Sequence, residues 1–173
     1  IFVKVFAIII KKRCKMFRQM RRIRQELPLD EAKKLLIKNK RGVLSLNGED
    51  GYPYSLPINY FYDEKENKLY FHGAKTGYKV DCIKNNNKAS FVTYGDEELS
   101  DNGWSYYLKS VVVFGKIEIV EDRELAAKKL RELAAKYYPS LSEVDAVMER
   151  SFDNALVYYL DIAHMTCKKV HEK

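Results

Sequence analysis

Apolar and polar residues alternate with a period of two along most of this chain, interrupted by four stretches where the spacing is helical. The first helix is expected to open at Leu29-Asp30-Glu31-Ala32, with Pro28 before it and acids in its first turn. Ala32, Leu35 and Leu36 share one face, and Gly42 is expected to close it. Residues 43–46 then read as a strand, 47–51 as a turn and 54–62 as a second strand. In that strand Tyr54, Leu56, Ile58, Tyr60 and Tyr62 alternate with Ser55, Pro57, Asn59 and Phe61. Pro57 has no N–H to give to a ladder, so this strand belongs at an edge or a bulge.

Residues 63–68 form a charged turn, 69–72 a third strand, 76–85 a short helix and 88–94 a fourth strand. The acidic stretch 95–103 reads as irregular and mobile, and 104–120 as one long strand bent near Gly115. Asp122 caps a helix whose buried stripe is Leu125, Leu130, Leu133, Ala134 and Tyr137, stopped by Pro139. Ser140 and Glu143 form the capping pair of another helix running to Arg150, and residues 155–162 are the last strand. Helices inserted among short strands, rather than one after every strand, argue against a doubly wound sheet. They predict a mainly β, antiparallel barrel with inserted helices, an α+β chain.

A length of 173 residues allows one domain with a single core. The net charge of +7 points to nucleic acid or an acidic membrane until it is located. Residues 1–24 hold nine Lys or Arg and no acid, whereas from Gln25 onward 22 basic residues face 24 acidic ones. The domain, residues 25–173, is therefore mildly acidic and lacks a basic stripe with interleaved aromatics, so no nucleic-acid partner is expected for it. The arm, residues 1–24, starts with an apolar run over 1–10 followed by Lys11, Lys12 and Arg13. That order reverses a signal peptide's, and the run is too short to be a transmembrane segment. It is expected to be a leader or a mis-set start ahead of Met16 and Met20, with weak membrane-surface contact as the alternative. Cys14, Cys82 and Cys167 form no CxxC pair and read as reduced thiols of a cytoplasmic protein.

The stretch Tyr70-Phe71-His72-Gly73-Ala74-Lys75-Thr76-Gly77-Tyr78-Lys79 is the most informative chemically. A strand ends at glycine and feeds directly into a helix, whose free N–H groups and positive dipole end attract a phosphate. Lys79 adds a full charge in the first turn. An ordinary β-to-α turn with a solvated lysine has the same pattern. The stretch is not a Walker loop, since neither the glycine spacing nor a following Ser or Thr is present, and the chain has no GxGxxG for a Rossmann site. His164 and His171 have no Cys, Asp or Glu at metal-ligand spacing, so no metal site is expected. Neither a Gly-x-Ser-x-Gly elbow nor paired carboxylates support a hydrolase.

Several segments, taken in order, carry a resemblance: Arg41-Gly42-Val43-Leu44-Ser45, Asp50-Gly51-Tyr52-Pro53-Tyr54, Pro57-Ile58-Asn59-Tyr60, Tyr70-Phe71-His72-Gly73-Ala74 and Gly77-Tyr78-Lys79. Ser110-Val111-Val112-Val113-Phe114-Gly115 and Ile162-Ala163-His164-Met165-Thr166 continue it. Over about residues 25–170 the chain resembles the nitroimidazole-reductase-like (Nim-type) branch of the pyridoxamine 5′-phosphate oxidase-like, FMN-binding split β-barrels. Cys167 departs from the glycine expected there. The resemblance implies FMN held at a homodimer interface, its phosphate near Tyr78 and Lys79. The ring would lie along Ile58, Asn59, Tyr60 and the His72-Gly73-Ala74 turn, with Ser110 and Val111 supplied by the second subunit. Strand walls suit a flat apolar ring, and a helix end with a cation suits a dianion. On residues alone, Asn59 could equally pair with a strand edge and Ser110 be an interior hydroxyl, while Trp104, Tyr106 and Tyr107 fit core or interface.

His72 is the candidate catalytic residue. Its imidazole titrates near neutrality and stands, by the resemblance, near the reactive face of the ring, where it would give a proton or hydrogen bond to an acceptor; the alternative is that it only packs at the strand end. The implied function is an FMN-dependent oxidoreductase, reductase or oxidase, acting on a small organic acceptor with NADH or NADPH as donor. Two alternatives stand beside it. One is a flavin or haem carrier or redox sensor without turnover; the other is pyridoxamine 5′-phosphate oxidation, for which the expected arginine-rich C-terminal site is not found.

Overall fold

The computed structural model describes residues 17–171; the apolar run 1–10, Cys14 and Met16 lie outside the described residues. Eight strands are joined in one antiparallel sheet: β1 (Glu26–Leu27), β2 (Arg41–Asn47), β3 (Pro53–Asn59), β4 (Phe61–Asp63), β5 (Lys68–Ala74), β6 (Lys88–Leu99), β7 (Tyr106–Ile119) and β8 (Ala155–His171). Four helices interrupt them: α1 (Leu29–Lys38), α2 (Tyr78–Asn85), α3 (Arg123–Ala135) and α4 (Leu141–Ser151). The strand order is β3-β2-β6-β7-β8-β5-β4, with β1 added beside β8. Only Tyr60 separates β3 from β4, so the two ends of the path meet at that residue and the sheet closes into a split barrel. Leu44, Phe71, Phe91, Val111, Val113 and Tyr158 fill it, together with Ala32, Leu35 and Leu36 of α1.

The expected strand over 54–62 is thus two strands. Pro57 does lie on an edge strand, and Tyr54, Leu56 and Ile58 are turned toward the core as the alternation requires. At the break, the backbone of Tyr60 leaves both ladders and is held by one side chain instead. The Tyr137 hydroxyl accepts from the Tyr60 N–H at 2.8 Å and lies 2.9 Å from the Tyr60 carbonyl, to which it donates.

Other sequence expectations are corrected. Gly42 does not close α1; the Asn39 N–H ends that helix on the Leu35 carbonyl, and Gly42 sits inside β2. A Cβ there would stand 2.2 Å from the Phe91 ring, so the glycine serves close packing and not a helix stop. Residues 95–99 are not irregular but extend β6, across a bulge between Gly95 and Glu98. Two of their acids are paired: Asp96 with Lys38 of α1 and with Lys109 at 3.5 Å, and Glu98 with Lys169 at 2.8 Å. The long strand starts at Tyr106 rather than Trp104, and its register breaks between Phe114 and Gly115, where the bend was expected.

The last strand runs nine residues past Ile162 to His171, and His164 falls in its middle. The bulge explains why the pattern hid this. Phe114 pairs with His164 and Gly115 with Ile162, so Ala163 is an extra residue and the inward set changes from Tyr158 and Leu160 to Met165 and Cys167.

The helices α3 and α4 form a hairpin between β7 and β8. Asp122 and Ser140 cap them, accepting from Leu125 N–H at 2.8 Å and Glu143 N–H at 3.3 Å. Ala126 and Leu130 pack with Tyr70, Val120 and Val157 into a second apolar cluster, while Leu125, expected inside, is exposed. Lys129, buried beneath α3, reaches Asp63 at 2.5 Å and Glu66 at 2.6 Å and so fastens the hairpin to the β4–β5 turn.

Candidate functional site

The β3 strand pairs only with β2, and β5 pairs with β4 only over Lys68–Tyr70. The free edge of β3 and the upper part of β5 therefore bound a groove without hydrogen bonds between them. Arg41, Pro57, Ile58, Asn59 and His72 line it, around a volume of about 530 Å³. Three of the sequence-predicted residues, Ile58, Asn59 and His72, are thus brought to one place by two strands that are not neighbours in the ladder.

Beyond His72 the chain continues through Gly73 and Ala74 into α2. Gly77 precedes the helix at φ 116°, a conformation that favours glycine, and its carbonyl takes the first helical bonds from Val80 and Asp81. The N–H groups of Tyr78 and Lys79, the first two of the helix, have no place in that ladder. The half-buried Lys79 folds back over the strand end: its ammonium lies 5.3 Å from the Tyr158 ring centre, and a Cβ on Gly73 would stand 2.6 Å from it. Gly73 therefore leaves the space the ammonium occupies. Among the described residues no carboxylate pairs with Lys79, and burial lowers its pKa. The Tyr78 ring turns the other way, edge-on to Tyr54, where its hydroxyl accepts from the Glu49 N–H at 3.1 Å; only its backbone faces the helix start.

The His72 side chain is exposed, yet the protein atoms packed around its ring lower its pKa from the ordinary imidazole value, first by desolvation and then by the charge of Lys79. Its backbone carbonyl accepts from the Tyr158 hydroxyl at 3.3 Å, which holds the strand end. Ala74, the last residue of β5, pairs with Ala155 and is exposed.

Three further candidates, Tyr60, Val111 and Ser110, lie away from this groove, the last two having been expected from a second subunit. The Tyr60 ring is fully buried in the core, edge-on to Phe91 at 4.7 Å, so it forms no wall of the groove. The Val111 side chain is also fully buried, and its backbone lies in ladders with Thr93 and Cys167. Ser110 lies on the other face of β7, which β2 and β6 separate from β3 and which β8 separates from β5.

Sequence reasoning missed Arg41, which lies opposite Asn59 in the β2–β3 ladder, and a second cavity. This chamber, of about 250 Å³, shares Asn59 and His72 with the groove and is walled by Leu130, Leu133, Met148 and Phe152 of the helical hairpin and its exit. Arg41 carried a signal in the sequence, a charge next to Gly42 at a strand start. The chamber carried none, because its walls join residues from β3, β5 and the hairpin.

Solved structures with this fold include three informative ones. A candidate 5-nitroimidazole antibiotic resistance protein from Bacteroides thetaiotaomicron is 21% identical, with a TM-score of 0.70 over 84% of this chain and 87% of that one. A flavocytochrome from Azotobacter vinelandii matches with a TM-score of 0.72 at 18% identity, over 89% of this chain and 73% of that one. A FAD-binding protein from Mesorhizobium loti matches with a TM-score of 0.59 at 21% identity, over 84% and 97% of the two chains. A search of curated proteins finds no match. At these identities the likeness shows the fold, the split barrel. No helix among the described residues is long and apolar enough to cross a membrane. A family model described as pyridoxamine 5′-phosphate oxidase matches residues 28–169, from the start of α1 to the far end of β8, and the chain belongs to that family.

Proposed function

We propose that this chain is an FMN-dependent oxidoreductase that acts on a small organic acceptor and works as a homodimer. The observation that carries the reading is Lys79. A half-buried ammonium beside free helix N–H groups, over a glycine that makes room for it and with no carboxylate partner among the described residues, is suited to an anion. The residues present fit a flavin mononucleotide: Lys79 and the amides of Tyr78 and Lys79 for the phosphate, and the groove of Pro57, Ile58, Asn59 and His72 for a flat ring. When bound, FMN supplies the transfer of one or two electrons to the acceptor.

The chain's own residues then have separate tasks. Pro57 and Ile58 give an apolar wall, and Asn59 gives a polar contact at the strand edge. His72 offers a ring N–H as a hydrogen-bond donor at the junction of groove and chamber. Tyr94, Leu99, Trp104 and Tyr106, all exposed around the far end of β6 and β7, are the apolar surface that a second subunit would cover, bringing Ser110 toward a neighbouring site.

The test is the visible spectrum of the purified protein, the identity of any released flavin, and its response to NADH and NADPH. Bound FMN that either nucleotide bleaches, in a protein sedimenting as a dimer, is the expected result. Bound flavin that neither reduces would make the chain a carrier, released FAD would replace the mononucleotide, and a haem spectrum would overturn the flavin assignment.

A further inference from the structure

Two cavities meet at Asn59 and His72: the groove, and the chamber under the α3–α4 hairpin. They differ in chemistry. The cations of the region, Arg41 and Lys79, belong to the groove and its helix end, whereas among the described residues no Lys, Arg, Asp or Glu lines the chamber. Its walls are mainly aliphatic and aromatic; its polar lining residues are Asn59 and His72 from the barrel and Tyr137, Tyr138 and Ser151 from the hairpin side, none of them a cation. An anion entering it would exchange its hydration for apolar walls without a counter-ion, which is strongly unfavourable. Size narrows the ligand further. An apolar cavity of about 150 Å³ holds one benzene ring, so a chamber of about 250 Å³ has room for one or two rings.

The chamber is also kept from collapsing. In the middle of α3 Lys129 grips Asp63 and Glu66 at 2.5 and 2.6 Å. Just past its C-terminal end Lys136 reaches the carbonyls of Asn39 at 2.5 Å and Leu36 at 3.3 Å, and Tyr137 holds Tyr60. These polar clamps along α3 hold that helix at its distance from the barrel.

We propose that this chamber is the acceptor site, and that it takes an uncharged, largely apolar molecule of one or two rings with its polar edge turned to His72 and Asn59. Its role as acceptor site rests on the flavin reading of the groove; its selectivity against charge does not. A phosphorylated acceptor, the kind for which the family is described, is excluded from it.

The experiment uses the full chain with methyl-¹³C methionine, in flavin-loaded and flavin-free forms, titrated with 2-naphthol and separately with 2-naphthyl phosphate. Met148 lines the chamber, while Met20 and Met165 lie elsewhere and serve as internal controls. The expected result is a shift of the Met148 signal by 2-naphthol, with at least ten-fold weaker binding of the phosphate. Met148→Trp and, independently, Val147→Phe should fill the chamber and abolish 2-naphthol binding; folding is checked by circular dichroism, and for Val147→Phe the Met148 signal remains readable. Equal or tighter binding of the phosphate as read at Met148, shifts at Met20 or Met165 in place of Met148, or 2-naphthol binding that survives in a folded filling variant would overturn the proposal. If the protein retains flavin and Met148 does not respond, the chamber assignment falls alone. If Met148 responds as expected but no flavin binds, the selectivity stands, and both the flavin reading and the acceptor role fall.

Discussion

Replacing Tyr137 with Phe removes one oxygen and keeps the ring that lines the chamber. That oxygen accepts from the Tyr60 N–H at 2.8 Å and has one proton to share between the carbonyls of Tyr60, at 2.9 Å, and Lys40. Tyr60 is fully buried at the break between β3 and β4, so its N–H has neither a ladder partner nor water to turn to. The variant loses two hydrogen bonds and leaves a buried donor unpaired, for a cost of about 2 kcal/mol. In a domain of this size that lowers the melting temperature by roughly 4–8 °C. Urea unfolding of the flavin-free protein, followed by circular dichroism, measures the free energy, and amide exchange at Tyr60 reports the site itself. A loss below about 0.5 kcal/mol, the low end for a single hydrogen bond, would mean that the seam satisfies its backbone another way and that Tyr137 is not what holds it.

Lys79→Ala is expected to weaken FMN binding about 10- to 100-fold, as for the loss of a charge-assisted hydrogen bond, and to leave riboflavin binding unchanged; equal losses for both would move the phosphate elsewhere. If His72 acts as a hydrogen-bond donor, His72→Gln should keep much of the acceptor turnover, while His72→Ala should lose about 10²-fold or more with the flavin retained. A glutamine variant as inactive as the alanine one would restore proton donation to the mechanism. Asp63 is raised by burial but lowered more by Lys129 and by the amides of Glu66 and Lys65; Glu66 is lowered by Lys129 and the Tyr70 hydroxyl. Folded values below the unfolded ones mean that this stability is complete above the ordinary carboxylate range of about 4 and is lost as pH falls through the folded values. The destabilisation by Lys129→Met should therefore be largest near pH 7 and shrink on acidification, and a pH-independent difference in urea unfolding would refute the linkage.

The elements that read correctly are those whose residues answer to one neighbour at a time. The alternation over 54–58 and the Asp122 and Ser140 caps are local chemistry, and they stand where the pattern puts them. The errors arise where a distant contact changes the meaning of a residue. Gly42 has the form of a helix stop, but the ring of Phe91 needs its empty side. The strand 155–171 reads as ending at Ile162 because a bulge set by Gly115 on the opposite strand shifts its alternation by one residue. The candidate site divides in the same way. The Gly73-to-Lys79 run is legible as a phosphate-type turn, being continuous in sequence. The side-chain burial of Tyr60 and Val111, the place of Arg41 in the groove and the existence of the chamber all depend on which strands close the barrel.

The strand β8 has neighbours along nearly its whole length: β7 on one side, β5 and then β1 on the other. This makes it the keystone of assembly and gives the domain a definite order of birth. A chain growing from its amino end carries β5 and β7 with bare edges, and an α3–α4 hairpin with no floor, until residues 155–171 have emerged. Val157, Tyr158 and Leu160, which complete both apolar clusters, arrive with them. Pairings such as Glu26 with Lys168 close nearly the longest loop the domain allows, and sheets built from such distant partners form slowly. The hazard for this protein during synthesis is therefore one of timing: two exposed sheet edges wait together for the segment that will separate and cover them.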